Sequence, residues 1–310
     1  MRGILLFTLF LGIIFAVACA GEKKQEQKET TETKPVEIIR NPAHAGRFYP
    51  ADPEELKAQV AGFLDNAKSE PQDGILAITV PHAGYVYSGK VAGEAFKAAS
   101  NSRPDTIILI GPYHYGPLSG AAVFTSGKFL SPLGSSVIDE TLAQLFLEKV
   151  KDAKDNPSPH YQEHSLENQL PFIHYIWGDI PILPILVGSG DKDFARELGK
   201  GLLALIQESG KKLLIVSTVD LSHYYPLDVA KTLDDSALSA LADSDPLRIV
   251  DTNEQGISAV DAPVVFGAVN YAMRELGVSK PEVLCYATSA DYNKDTSKVV
   301  GYSAVVWRKE

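Results

Sequence analysis

The sequence predicts an α/β fold, a three-layer αβα sandwich around a largely parallel or mixed central sheet. Three observations carry the prediction. Short, nearly continuous apolar runs recur along the chain, as strands buried on both faces require. Segments of helical period separate them, which argues for an open layered sheet over a closed barrel. And three apolar runs end by presenting histidine: "ILAITVPHAGYVYSG" at His82, "DTIILIGPYHYGPL" at His114 and "KKLLIVSTVDLSHYYP" at Asp220 and His223.

The strand-like runs fall at 75–80, 106–110, 121–125, 181–187, 213–218, 282–287 and 298–307. Helical patterns lie between them at 52–67, 89–99, 139–150, 164–177, 192–209, 232–243 and 264–276. No repeat and no long linker interrupts residues 40–310, so a single domain is expected there.

The first 19 residues do not belong to that fold. "MRGILLFTLFLGIIFAVACA" has a positive start at Arg2 and an apolar stretch of about 14 residues, short for a membrane span. Cys19 follows a small residue, as in a bacterial lipoprotein box, so 1–19 reads as a lipoprotein signal and Cys19 as the lipidated first residue. Residues 20–39 are polar and low in complexity, and read as a flexible tether. The expected location is the cell envelope, with several acyl chains holding the exported protein to a membrane. Cys285, the other of two cysteines, then has no disulfide partner and reads as a buried strand residue.

The chain has 310 residues, 45% of them hydrophobic and 22% charged, enough to bury a sizeable core. A net charge of −10 with no basic block argues against nucleic acid. No P-loop, G-x-G-x-x-G or G-x-S-x-G is present, and the histidines are too far apart for H-E-x-x-H. In an open α/β sheet, ligands bind beyond the carboxyl ends of the strands. If the three runs are neighbours, His82, His114 and His223 converge on one crevice. Imidazoles with a carboxylate suit a divalent metal with open positions, and a remaining histidine suits proton transfer. Candidate carboxylates are Asp220, Asp261, Glu163 and Glu167. The last two are expected on one helical face with His164 at the helix start; there they would alternatively offset the helix dipole. Asp261 precedes Pro263, and an N-cap would explain it without further function. His44 and Arg47 fall in a segment (41–56) that packs at an edge or across the crevice mouth. His160 and His174 are read as structural.

Six ordered motifs, "NPAHAGRFYP", "PHAGYVYSG", "GPYHYGPLSG", "EHSLENQLPF", "PILVGSG" and "DLSHYYP", together resemble the Memo family, whose bacterial and archaeal members are called AmmeMemoRadiSam system protein B. The resemblance implies a fold like that of the class III extradiol dioxygenases (LigB-like), enzymes that use non-haem Fe(II). It implies His82 and His114 as metal ligands and His223 as an acid/base, with Asp220 and His164 lining the pocket. Family members often carry Cys where Ser258 and Ala259 stand in "ISAVDAP"; Asp261 would restore a third ligand, and the alternative is a two-histidine site. The expectation is therefore an exported, lipid-anchored protein holding Fe(II) or copper, with zinc as another option, for dioxygenase-like redox chemistry. The rivals are a non-catalytic module for a small molecule, peptide or metal, and a metal-dependent hydrolase. AMMECR-type or radical SAM partners follow from family analogy alone.

Overall fold

Four adjacent parallel strands form the centre of the protein, and their residues are buried on both faces. The computed structural model describes residues 38–278 and 280–309. In chain order the first strands are β1 (Ile39–Arg40), β2 (Ile75–Val80), β3 (Thr106–Pro112), β4 (Ala121–Val123), β5 (Lys128–Ser131) and β6 (Gly134–Val137). After them come β7 (Ala153–Asp155), β8 (Ile182–Val187), β9 (Leu213–Thr218), β10 (His223–Tyr225), β11 (Glu282–Thr288) and β12 (Val299–Arg308). The helices are α1 (Pro53–Asp65), α2 (Tyr85–Ala99), α3 (Glu140–Lys149), α4 (Leu170–Trp177) and α5 (Lys192–Glu208). Then follow α6 (Leu227–Leu241), α7 (Arg248–Glu254), α8 (Pro263–Glu275) and α9 (Ala290–Asn293).

The main sheet runs β10-β12-β2-β9-β3-β8-β4-β7, with β11 paired to β12. Its centre, β2-β9-β3-β8, is parallel, while β12 and β4 are antiparallel to their inner neighbours. A separate small sheet, β1-β5-β6, holds the start of the described chain. On one face of the main sheet Leu56 of α1, Phe96 of α2 and Phe172 of α4 pack against Ile78, Leu109 and Val216. On the other, Leu202 of α5, Leu241 of α6 and Phe266 of α8 pack against Ile108, Ile185 and Ile215. The result is a three-layer αβα sandwich, as the apolar runs predict.

Local chemistry explains where the helices start. Asp52, Asp139 and Asp191 each accept a hydrogen bond from a backbone N–H of the first turn, capping α1, α3 and α5. Gly93 of α2 lets α1 come close; a Cβ there would sit 3.0 Å from the carbonyl oxygen of Phe63.

Several expectations change. The helix expected over 164–177 begins at Leu170, after a 3-10 turn over Glu167–Gln169. Pro171 is the reason, because proline is accepted in a first helical turn and not inside a helix. Glu163 and Glu167 therefore do not share a helical face. The hairpin β5–β6, the short strands β7 and β10, and α7 are additions to the expected elements. The tether expected over 20–39 ends earlier, since Ile39 already pairs with Lys128. The expected signal, Cys19 and the rest of the tether lie outside the described residues. Among the described residues no helix is long and apolar enough to cross a membrane.

Candidate metal centre

The parallel strands β2, β9 and β3 are neighbours, and each is followed two residues past its end by a chemically active side chain. These are His82, Asp220 and His114. A fourth, Asp261, comes from the turn before α8. The cap of α8 is Ala262, with no side-chain cap bond, so Asp261 is not the N-cap that its place before Pro263 suggested. Its Oδ1 instead accepts the N–H of Asp220 at 3.1 Å, and the N–H of Asp261 donates to the Asp220 carbonyl at 3.1 Å.

The ring centroids of His82 and His114 lie 5.0 Å apart. Asp261 Oδ2 sits 2.8 Å from His82 Nε2 and 3.7 Å from His114 Nε2. Close as it is, this oxygen is buried without a well-formed hydrogen bond to either ring, an arrangement open to atoms that share a bound ion. Both histidines are pinned through their other nitrogen. His82 Nδ1 pairs with Thr218 Oγ1 at 2.8 Å, and Gln169 donates to the same hydroxyl at 3.2 Å. His114 Nδ1–H donates to Glu163 Oε1 at 2.9 Å, so the neutral ring carries its lone pair on Nε2. Two imidazole Nε2 atoms and one carboxylate oxygen are the facial set that suits non-haem Fe(II). An orphaned buried oxygen beside two pinned imidazoles fits a divalent metal.

The electrostatics agree. Burial works against charge on both histidines, but the Asp220 and Asp261 carboxylates outweigh it and raise the pKa of His82. At His114 burial is likewise outweighed by Asp261 and Glu163, which lift its pKa to about 10. Asp261 is held well below the carboxylate range, since His82 and His114 overcome its burial, whereas burial raises Asp220. The pocket is one that asks for positive charge.

His164 joins the cluster, its ring 4.6 Å from that of His114 and 5.5 Å from that of His82. Burial is the main cause of its lowered pKa. Two groups among the described residues bring their ligand atoms within 4.8 Å of one another, His82 with His114 and His164, and His82 with Asp220 and Asp261; Asp261 and His114 thus meet at His82. Glu163 is committed elsewhere: it accepts from the N–H groups of His114, His164 and Ser165 as well as from the His114 ring. These bonds outweigh its burial and keep it ionised. Glu167 takes the N–H groups of Ala43 and His44, the hydroxyl of Tyr49 and a buried ion pair with Arg40. Neither glutamate is free to ligate.

His223 is placed differently from the other three. Its ring contacts that of Tyr224, and its Nδ1 pairs with the Leu221 carbonyl at 2.8 Å. It lies within electrostatic reach of Asp220 and Asp261. Asp220 takes the strand-end position expected for His223, its Oδ1 accepting the His82 N–H at 2.9 Å. Ser258 is buried and bonds Thr252, so it does not face the histidines; Asp261 Oδ2 comes within 4 Å of the Nε2 of both His82 and His114, and Asp220 Oδ2 stands 3.9 Å from His82 Nε2.

His44 packs on His164, centroids 5.6 Å apart, whereas Arg47 is exposed. His160 and His174 are structural, bonding Ala122 O and Ser131 and Ser136. Cys285 is a partly buried residue of β11 with a free thiol. Sequence reading missed Thr218, Gln169 and Arg40. Thr218 left the one visible signal, a pair of hydroxyl residues, Ser217 and Thr218, ending an apolar strand.

The family model for Memo-like proteins matches residues 40–306. The chain belongs to the Memo family. Among curated proteins it is similar to a MEMO1 family protein of Methanopyrus kandleri, 34% identical over 286 residues and covering 87% of this chain and 99% of that one. A MEMO1 family protein of Aeropyrum pernix is 36% identical over 278 residues, covering 86% and 99%. Among solved structures, an uncharacterized protein from Escherichia coli K12 aligns with a TM-score of 0.50 at 14% identity, covering 75% of this chain and 99% of that one. That likeness concerns the fold alone. The Memo domain here has the LigB-like three-layer architecture.

Proposed function

We propose that this Memo-family protein holds a divalent metal, Fe(II) or copper, through His82 Nε2, His114 Nε2 and Asp261 Oδ2, and carries out dioxygenase-like redox chemistry. The carrying observation is the orphaned Asp261 oxygen beside two imidazoles whose outer nitrogens are already engaged. Such a metal supplies redox chemistry at its open coordination positions. The surrounding residues orient and move protons. Thr218 and Glu163 fix the ring orientations, and Asp220 holds the His82 backbone. His164 and His223 stand at the cleft as proton carriers, one against Glu163 and one beside Asp220.

The test is oxygen uptake by protein purified without oxygen and loaded with Fe(II), across a panel of small aromatic and thiol reductants. Uptake lost in His164→Ala, with metal retained, supports the reading. Stoichiometric metal with no uptake across the panel refutes the redox activity. The same donor set also suits zinc with an open position, so native zinc with ester or amide cleavage would favour a hydrolase. The N-terminal sequence supports export and anchoring through Cys19. Lipid labelling that persists in Cys19→Ala would contradict this.

A further inference from the structure

One buried carboxylate takes no part in the metal centre. Asp234, on the inner face of α6, is fully buried, and among the described residues no lysine, arginine or histidine pairs with it. Its Oδ1 accepts the Ser222 N–H at 2.8 Å, and its Oδ2 accepts the Tyr286 hydroxyl at 2.8 Å. A Cβ on Gly301 of β12 would fall 2.0 Å from Oδ2, so only glycine lets the carboxylate lie against that strand. Burial raises the pKa of Asp234, because two neutral donors do not balance a negative charge taken out of water.

Two hydroxyls nearby are also unmatched. Ser222 and Ser303 are fully buried, and neither Oγ has a well-formed hydrogen bond. The Ser222 hydroxyl lies close enough to the Asp234 carboxylate to favour its charged form. Ser303 pairs with Tyr286 in the β11–β12 ladder and stands two residues from Gly301, on the same face of β12. The loop after β9, α6, β11 and β12 thus bring side chains that carry only oxygen to one buried place.

We propose that Asp234, Ser222 and Ser303 hold a monovalent cation of sodium size. One carboxylate balances one positive charge, and hydroxyl lone pairs are free to ligate. Calcium takes about six to eight oxygens, more than these side chains offer. The close contact at Gly301 leaves little room, which favours sodium over the larger potassium. The cation lies behind the loop that carries Asp220 and His223. There the Leu221 N–H donates to the Gly301 carbonyl at 2.8 Å, and the Gly301 N–H donates to the Ser222 carbonyl at 2.9 Å. The inference does not depend on a metal at His82 and His114.

Thermal unfolding of the full chain in sodium chloride, read against choline chloride at the same ionic strength, tests it. A net charge of −10 responds to any salt, and the choline reference removes that common part. Sodium at about tenfold its dissociation constant is expected to raise the midpoint by about 2 °C, saturating with concentration, and potassium to act more weakly. The sodium increment should vanish in Asp234→Asn, which keeps the size of the side chain, and shrink in Ser303→Ala. Equal midpoints in sodium and choline would mean a proton or a water in that place and would overturn the proposal. So would an increment that survives both substitutions, or one that potassium or calcium produces at lower concentration. If Asp234→Asn does not fold, Ser222→Ala and Ser303→Ala decide the location.

Discussion

Arg40→Met is expected to be among the most damaging single changes in the protein, although Arg40 touches no proposed ligand. The guanidinium is fully buried and 2.5 Å from Glu167, itself fully buried. It also donates to the carbonyls of His160 at 3.0 Å and Glu163 at 2.7 Å. Removing one partner of a buried pair costs about 3–5 kcal/mol, because the other charge stays behind in low dielectric. Each carbonyl left unsatisfied adds about 1 kcal/mol. The sum is about 5 kcal/mol or more, against a total stability of about 5–15 kcal/mol for a folded protein. Urea unfolding followed by circular dichroism measures it, with an unchanged slope showing that the denatured state is not what moved. The double variant Arg40→Met/Glu167→Gln should recover about 2 kcal/mol, since the stranded charge is gone. A cost below about 1 kcal/mol, or strict additivity in the double variant, would refute the reasoning.

Glu163→Gln should weaken metal binding by about 10- to 100-fold with the fold intact, because it loosens His114 without removing a ligand; equilibrium titration measures it, and unchanged affinity counts against the role. Acid should destabilise the protein through two histidines outside the site. Burial holds the pKa of His160 down at about 3 and that of His174 at about 4. Below the unfolded value of about 6.5 the unfolded chain takes up protons that the folded chain refuses, so stability is full above that pH and falls as pH drops toward 4. The loss is on the order of several kcal/mol. Urea midpoints between pH 7 and pH 4 should show it, and His160→Asn should flatten the slope; a flat wild-type profile contradicts the assignment.

The fold was legible because its signals are local. The runs ILAITV, TIILI and LLIVST are apolar but for a few hydroxyls, short and without alternation, as strands buried on both faces require, and they are the central strands β2, β3 and β9. His82 and His114 were legible for the same reason, as polar groups at the ends of buried strands. His223 was not, since the chain after Asp220 turns back into β10 and pairs with β12 through a backbone that puts Tyr224 at φ 64°. That turn sets the ring against Tyr224, out of contact with the other three imidazoles but still within electrostatic reach of Asp220 and Asp261. Asp261 was visible as a carboxylate near a helix start, but whether it caps the helix or faces the histidines depends on contacts with residues 41 and 179 positions away. The same holds for Arg40 and Thr218, whose partners lie 120 to 136 positions along the chain. Pairings of that range leave no pattern in neighbouring residues.

Anomalous diffraction from metal-loaded crystals tests the central claim most directly. A single strong peak about 2.0–2.3 Å from His82 Nε2, His114 Nε2 and Asp261 Oδ2 is the result expected. A peak elsewhere, or none in protein soaked with Fe(II), copper and zinc in turn, would contradict it.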